Sequence, residues 1–352
     1  MRVFVAGASG VLGRRLVPRL VARGHQVTAT TAGPARLGLL RQLGAEALVL
    51  DGLDAAAVGE AVATARPDMI VHFMTAARAT SRADAGVDAL GHPDRYALTT
   101  NRLRTEGTDH LLAAAQATGT THFVAQSTAS TNGLRQGGWV KTELDPLDPE
   151  TGTPAHRTAQ AVRHLEHTVV NAGGTVLRYG LLYGPGTTSH HLTLVRSRQL
   201  PLIGPATGHT SWIHLDDATT ATVLAVEQEA TGIFNIVDDH PAPAHAWLPH
   251  LAACTGARTP RRLPSALARL LTGTMTTTLM TQSRAFSNAK AKEQLHWHLL
   301  HPTWHQGFQD PRNLQNAPYA QIPPRRDHPA QQRNLMPYSG PACRRANGRS
   351  RP

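Results

Sequence analysis

Cysteine is nearly absent: Cys254 and Cys343 are the only two in 352 residues. Two thiols build no disulfide framework, and no Cys-x-x-Cys occurs, so a reducing compartment, the cytoplasm, is expected. No apolar run reaches the roughly 20 residues that a bilayer-spanning helix needs. The first strand-like run starts at Arg2 and leaves no room for a signal peptide. Lysine is confined to Lys141, Lys290 and Lys292, and tyrosine to Tyr96, Tyr179, Tyr183, Tyr319 and Tyr338. No Tyr stands four residues before a Lys. Acidic residues are missing altogether before Glu46.

Excess charge of one sign is small in most of the chain. Residues 312–352 carry eight Arg against one acid, Asp327, so +7 of the formal +11 lies there and +4 is left for residues 1–311. A nucleic-acid groove is therefore not expected. The stretch 311–352 is rich in Pro, Arg, Gln and Asn and has no helical or strand period, which predicts a disordered basic tail, dispensable after Gln309. A grip on an acidic partner is the other reading of such a tail.

With 41% apolar residues the remainder can bury a sizeable core. Short apolar runs alternate with helical patterns: "VFVA", then Leu12 to Arg23; "QVTAT", then Pro34 to Leu43; "EALVL", then Asp54 to Ala65. "DMIVHF" is followed by one long helix from Arg95 to Ala117, "HFVAQS" by a helix from Arg157 to Asn171, and "TVLRY" closes the series. This rhythm predicts an α/β fold, a doubly wound parallel sheet of Rossmann type. Pro18 should kink or shorten the first helix. After Tyr183 the rhythm breaks. "SWIHLDDATTATVLAVEQ" reads as a strand entering a helix with Asp216 or Asp217 near its cap, and "GIFNIVDD" as another strand. The expected organisation is a dinucleotide-binding domain at 1–180, rejoined by 211–238. A smaller C-terminal substrate lobe takes 181–210 and 239–310, followed by the tail at 311–352.

The stretch "VFVAGASGVLGRRL" places Gly7, Gly10 and Gly13 between a strand and a helix. The first glycine permits a sharp turn, the second a close approach of a pyrophosphate, the third tight helix–strand packing. Free N–H groups at the helix start then favour an anion. Gly7, Ser9, Gly10, Val11, Leu12, Gly13 and Arg14 are the expected contacts. The second strand ends at Thr30, Thr31 and Ala32, with no acid to bond ribose hydroxyls. Arg14, Arg15 and Arg36 stand where a 2′-phosphate would lie. NADP is favoured, with NAD as the alternative; surface arginines would give the same pattern without a ligand.

These residues resemble the extended short-chain dehydrogenase/reductases, the NAD-dependent epimerase/dehydratase family, of atypical kind. "GASGVLG", "VLRYGLLYGPG", "WIHLDDATTATVLAVE", "GIFNIVDD" and "SNAKAKEQLHW" follow that family's landmarks in order from Met1 to about Phe308. The resemblance implies a substrate held between the two lobes. It places Asp51 and Leu53 near the adenine, Ala76 and Ala77 along the cofactor, and Ser127, Tyr179 and Leu182 toward its nicotinamide end. It also suggests a homodimer.

The family's chemistry uses a Tyr-x-x-x-Lys pair. With Glu166 taken as the family's helix Glu, Thr158 stands in the Tyr place and Val162 in the Lys place, and neither can do that work. Thr128 matches the Ser/Thr that holds the substrate oxygen, or merely finishes a strand. His156 titrates near neutrality and is the other candidate for proton transfer, in a chain with 20 His. "SHH" at 189–191 and "HWHLLH" at 296–301 lack a carboxylate or Cys partner, so no metal site is expected. Thr210 replaces the Arg by which the family grips nucleotide sugars, which makes a small carbonyl or hydroxyl compound the expected substrate. Two functions remain: an atypical NADP-dependent oxidoreductase or epimerase, and a non-catalytic NADP-binding sensor or scaffold.

Overall fold

The computed structural model describes residues 1–76, 93–129, 137–147 and 154–314. Strands β1 (Arg2–Ala6), β2 (Gln26–Thr31), β3 (Glu46–Val49), β4 (Met69–His72) and β5 (His122–Thr128) belong to one sheet. Helices α1 (Gly13–Ala22), α2 (Leu37–Gln42), α3 (Ala55–Ala65), α4 (Pro93–Arg104) and α5 (Glu106–Thr118) are interleaved with them. Next come β6 (Val140–Lys141), α6 (Pro154–Asn171), β7 (Thr175–Tyr179), β8 (Leu181–Tyr183) and α7 (Ser189–Arg196). They are followed by β9 (Leu202–Ile203), β10 (His209–Thr210), β11 (Trp212–His214), α8 (Leu215–Glu227) and β12 (Gly232–Ile236). The chain continues through β13 (Ala242–Pro243), α9 (Ala244–Cys254), β14 (Arg262–Leu263), α10 (Ser265–Gln282) and β15 (Ala285–Phe286). It ends in α11 (Ala289–Gln294), α12 (Trp304–Gln309) and a 3-10 turn, Pro311–Leu314.

The central sheet has seven strands in the order β12-β7-β5-β4-β1-β2-β3, all parallel. Such a sheet must be covered on both faces. Val3, Val5, Leu16, Leu20, Leu215 and Ala218 fill the side of α1 and α8. Phe4, Ala6, Val62, Ile70, Leu111 and Leu165 fill the side of α3, α5 and α6. A separate core, built on Tyr183, Trp212, Trp247, Trp304 and Phe308, holds the smaller lobe together. Strand order reverses between β1 and β4, and the crevice at that switch is where α/β sheets bind ligands.

Three expectations need adjustment. Pro18 lies inside α1 without ending it. The long helix is interrupted at Thr105, where φ is −94° and ψ −82°, although its amide still donates to Asn101 O. Pro311–Leu314, assigned to a disordered tail, is instead packed: Asn313 is buried and its side chain donates to Gly307 O. The rest of that tail, from 315 on, lies outside the described residues.

Candidate active site

Gly7 has φ +82°, and a Cβ there would stand 2.8 Å from the backbone of Phe73 and Met74. Only glycine makes this turn at the end of β1. Gly13 abuts the backbone of Ala8, which brings α1 onto the turn. Gly10 differs: a Cβ there would meet only Gly7 O, at 3.4 Å, so the space over the turn is open. The turn itself is held by Gly7 N donating to Thr30 Oγ1 and Gly10 N to Gly7 O. No side chain caps α1, and its first turn holds no acid. An uncapped, acid-free helix start behind an open glycine turn suits a diphosphate. Val11 is half-buried, and the side chain of Leu12 belongs to the core, so Leu12 offers a ligand its backbone only.

Beside this turn Thr31 Oγ1 donates to Ser9 Oγ, at 3.0 Å, and Arg36 Nη1 donates to Ser9 O, at 3.2 Å. Ser9, Thr31 and Arg36 therefore form one polar group. Arg14 Nε lies 3.4 Å from Gly10 O. Arg15 does not belong here. It is buried, donates to Pro185 O and lies 3.9 Å from the Asp216 carboxylate, so it ties α1 to the smaller lobe. Asp51 is exposed at the end of β3 and accepts from Leu53 N. Ala76 N donates to Thr100 Oγ1, and Ala77 lies outside the described residues.

Two of the residues expected toward the nicotinamide end have their side chains bonded within the fold. Ser127 is buried and donates to Glu166 Oε1, at 2.6 Å. Glu166 in turn takes two bonds from the Arg178 guanidinium. Tyr179 is buried, with its hydroxyl 2.6 Å from Thr222 Oγ1 inside the core, and burial pushes its pKa up. Strand alternation is the cause: Ser127 and Thr128 face opposite sides of β5. Thr128 is half-buried at the strand end, beside Tyr179 on β7. Leu182 packs against the core. Tyr183 is fully buried among Trp212, His214 and Phe308. Neither tyrosine can serve as a proton donor.

Thr158 and Val162, which the resemblance sets against the Tyr–Lys pair, lie beside a different network. Thr158, half-buried near the start of α6, accepts from Asn101 Nδ2 at 3.1 Å. Asn101 Oδ1 accepts from Arg104 Nη1 at 3.4 Å. Burial lowers the Arg104 pKa, and the charge of Glu166 opposes that shift. Val162 is buried, one turn further along α6. His156 is half-buried in the first turn of α6. The sequence carries no local signal for the Asn101–Arg104 pair, since both lie on α4 and meet α6 only through the fold.

The segment after α8 is anchored by two buried acids. Asp217 accepts from the amides of Leu300 and His301, and burial pushes it up to about 6. Asp238 accepts from those of His240 and Trp304 and is pushed up to about 7 by burial. The cap of α8 is His214, whose Nδ1 accepts from Asp216 N. Its Nε2 lies 3.0 Å from Asn313 Oδ1. His214, Asp216 and His301 bring candidate metal-ligating atoms within 4.8 Å of one another. Both His214 nitrogens have partners, and the His214 and His301 rings lie with centroids 3.7 Å apart, tilted by 33°. The expectation that 296–301 lacks a carboxylate neighbour does not hold for His301, which lies near Asp216. Among the described residues, no helix is long and apolar enough to cross a membrane.

Comparison with known proteins accords with this fold. The model of the NAD dependent epimerase/dehydratase family matches residues 3–237. A 3-diazoavenalumate denitrifying reductase from a Streptomyces species is 44% identical over 317 residues, covering 88% of this chain and 99% of that protein. A 2-alkyl-3-oxoalkanoate reductase from Stenotrophomonas maltophilia is 26% identical over 270 residues, covering 73% of this chain and 76% of that protein. The crystal structure of a UDP-glucose 4-epimerase from Thermotoga maritima superposes with a TM-score of 0.68 at 19% identity, covering 88% of this chain and 96% of that one.

Proposed function

We propose that this chain, which belongs to the NAD-dependent epimerase/dehydratase family, is an NADPH-dependent reductase that removes a diazo group from a small arene. The observation that supports the reading is Thr158 held by Asn101 beside a buried Val162, at the positions where the resemblance expects Tyr and Lys. Reduction of a carbonyl creates an alkoxide, which must take a proton from a nearby acid. A threonine hydroxyl is far too weak an acid for that, and Tyr179 and Tyr183 are locked in the core. An arenediazonium ion has no such need. When bound, the dihydronicotinamide supplies a hydride, and Ar–N2+ plus hydride gives Ar–H and N2: a C–H bond forms, the C–N bond breaks, its electron pair leaves with N2, and no proton is consumed. The Streptomyces relative is named for a diazo substrate and a denitrifying reduction, which supports this class.

In this reading the chain's own residues bind and orient. The glycine turn and the start of α1 hold the diphosphate. Ser9, Thr31 and Arg36 receive the 2′-phosphate, with Arg14 beside them, while Asp51, Leu53 and Ala76 flank the adenosine and its approach. Thr158 accepts from Asn101, so its own O–H is left to donate to a ring substituent of the substrate. Thr128 helps to position the substrate from the end of β5, and His156 is not required.

The experiment is NADPH consumption with 4-carboxybenzenediazonium, compared with 4-formylbenzoate. Enzyme-dependent benzoate formation from the former, and none of the alcohol from the latter, is expected. Reduction of the aldehyde alone would sink the proposal. Failure of both, with tight NADPH binding, would favour a non-catalytic sensor. On the cofactor side, Arg36→Gln should weaken NADPH binding tenfold or more and leave NADH binding unchanged; equal losses for both would remove Arg36 from the phosphate site.

A further inference from the structure

Behind Thr158 stands an arginine that the hydride chemistry does not use. Arg104 closes α4 and is half-buried, and its Nη1 donates to Asn101 Oδ1 at 3.4 Å. Asn101 Nδ2 donates in turn to Thr158 Oγ1, at 3.1 Å. Thr100, next to Asn101, accepts from Ala76 N just past β4, at 3.1 Å, so this end of the network borders the crevice beside β4.

A side-chain amide can bond either way round, and its neighbours decide which. A guanidinium only donates, so Arg104 must face the Asn101 oxygen. The Asn101 NH2 group is then turned to Thr158, and the Thr158 oxygen accepts from it. A hydroxyl that accepts on one side keeps its proton for the other. Through one amide, Arg104 therefore makes Thr158 a donor.

The charge at this place is positive. Glu166 is the acid whose charge acts on Arg104. It is already paired with Arg178 at 2.6 Å and takes a further bond from Ser127 Oγ. Two guanidinium charges against one carboxylate leave +1. His72, lowered to about 4 by burial with the charge of Arg104 acting the same way, stays neutral. A shielded donor backed by a cation binds an anionic oxygen in preference to a hydroxyl. An arenediazonium is itself a cation, and a ring oxyanion offsets its repulsion from Arg104.

We infer that Arg104 is a positioning residue, which turns the Asn101 amide so that Thr158 donates to an anionic oxygen carried by a planar ring. The role rests on the reading above for Thr158 as a substrate contact, and it narrows the substrate to a diazonium that also bears an oxyanion.

Titration of the NADP+-loaded protein with 4-nitrophenol tests this, because the dye carries no diazo group and only its ionised form absorbs strongly in the visible. The wild type should bind it as the phenolate and make it about tenfold more acidic than in water. Arg104→Met should remove that gain and leave NADP+ affinity unchanged, and Arg104→Lys should restore part of it. Asn101→Asp, whose carboxylate only accepts, should draw the Thr158 proton to itself and remove the gain with Arg104 still in place; it decides the matter should Arg104→Met not fold. A dye bound in its neutral form, no binding at all, or wild-type ionisation in Asn101→Asp or Arg104→Met would overturn the inference. A fall in NADP+ affinity in a folded Arg104→Met protein would overturn it too, because the residue would then serve the cofactor. Diazonium reduction by a protein that shows no such gain would refute this role alone. An Arg104-dependent gain in a protein that reduces no diazonium would refute the reaction alone.

Discussion

Two glycines three residues apart perform different work. Gly7 is constrained by its own conformation, φ +82°, and by the backbone of Phe73 and Met74. Gly10 is constrained by nothing within the fold, since a Cβ would meet only Gly7 O at 3.4 Å. Gly7→Ala should therefore cost at least about 1–3 kcal/mol of stability, whereas Gly10→Ala should keep its melting temperature and lose cofactor affinity. Thermal melts combined with fluorescence titration check both; an unaltered affinity in Gly10→Ala would detach the glycine turn from the cofactor. The glycine spacing was legible because its geometry is local. The directions of the Ser127, Tyr179 and Arg15 side chains were not legible because the chemistry of a residue type does not say which way it points. One step along β5 turns Ser127 to Glu166 and Thr128 away from it. One step along α1 separates Arg14, beside Gly10, from Arg15, beside Pro185.

At the scale of elements, the parallel strands were readable because each is a short apolar run between turn residues, and the helices between them follow from that rhythm. The end of the chain was not. Pro311–Leu314 has no period and lies in a Pro- and Arg-rich stretch, yet Asn313 joins three elements. Its side chain bonds Gly307 on α12 and His214 at the head of α8, and its carbonyl accepts from Thr188 Oγ1 before α7. Each such bond contributes about 1 kcal/mol net. A chain ended at Gln309 should be destabilised by about 2–3 kcal/mol in urea, while one ended at Leu314 should match the full-length protein. Equal stability of the two truncations would show that Asn313 holds nothing.

For the molecule as a whole, the Rossmann-type sheet puts its switch point between β1 and β4, and a second aromatic core is built on Tyr183, Trp212, Trp247, Trp304 and Phe308. That much follows from the order of landmarks along the chain. The reaction does not, because the Asn101–Thr158–Arg104 network is assembled from two helices far apart in sequence. The central claim is that this member of the family transfers a hydride where no proton is needed. The most direct measurement is the fate of deuterium in the reduction of 4-carboxybenzenediazonium. With NADPH deuterated at C4 in ordinary water, the benzoate formed should carry deuterium at the carbon that held nitrogen. With unlabelled NADPH in D2O it should carry none, and the rate should be the same as in ordinary water. Deuterium entering from D2O, or a rate that falls in D2O, would contradict the account.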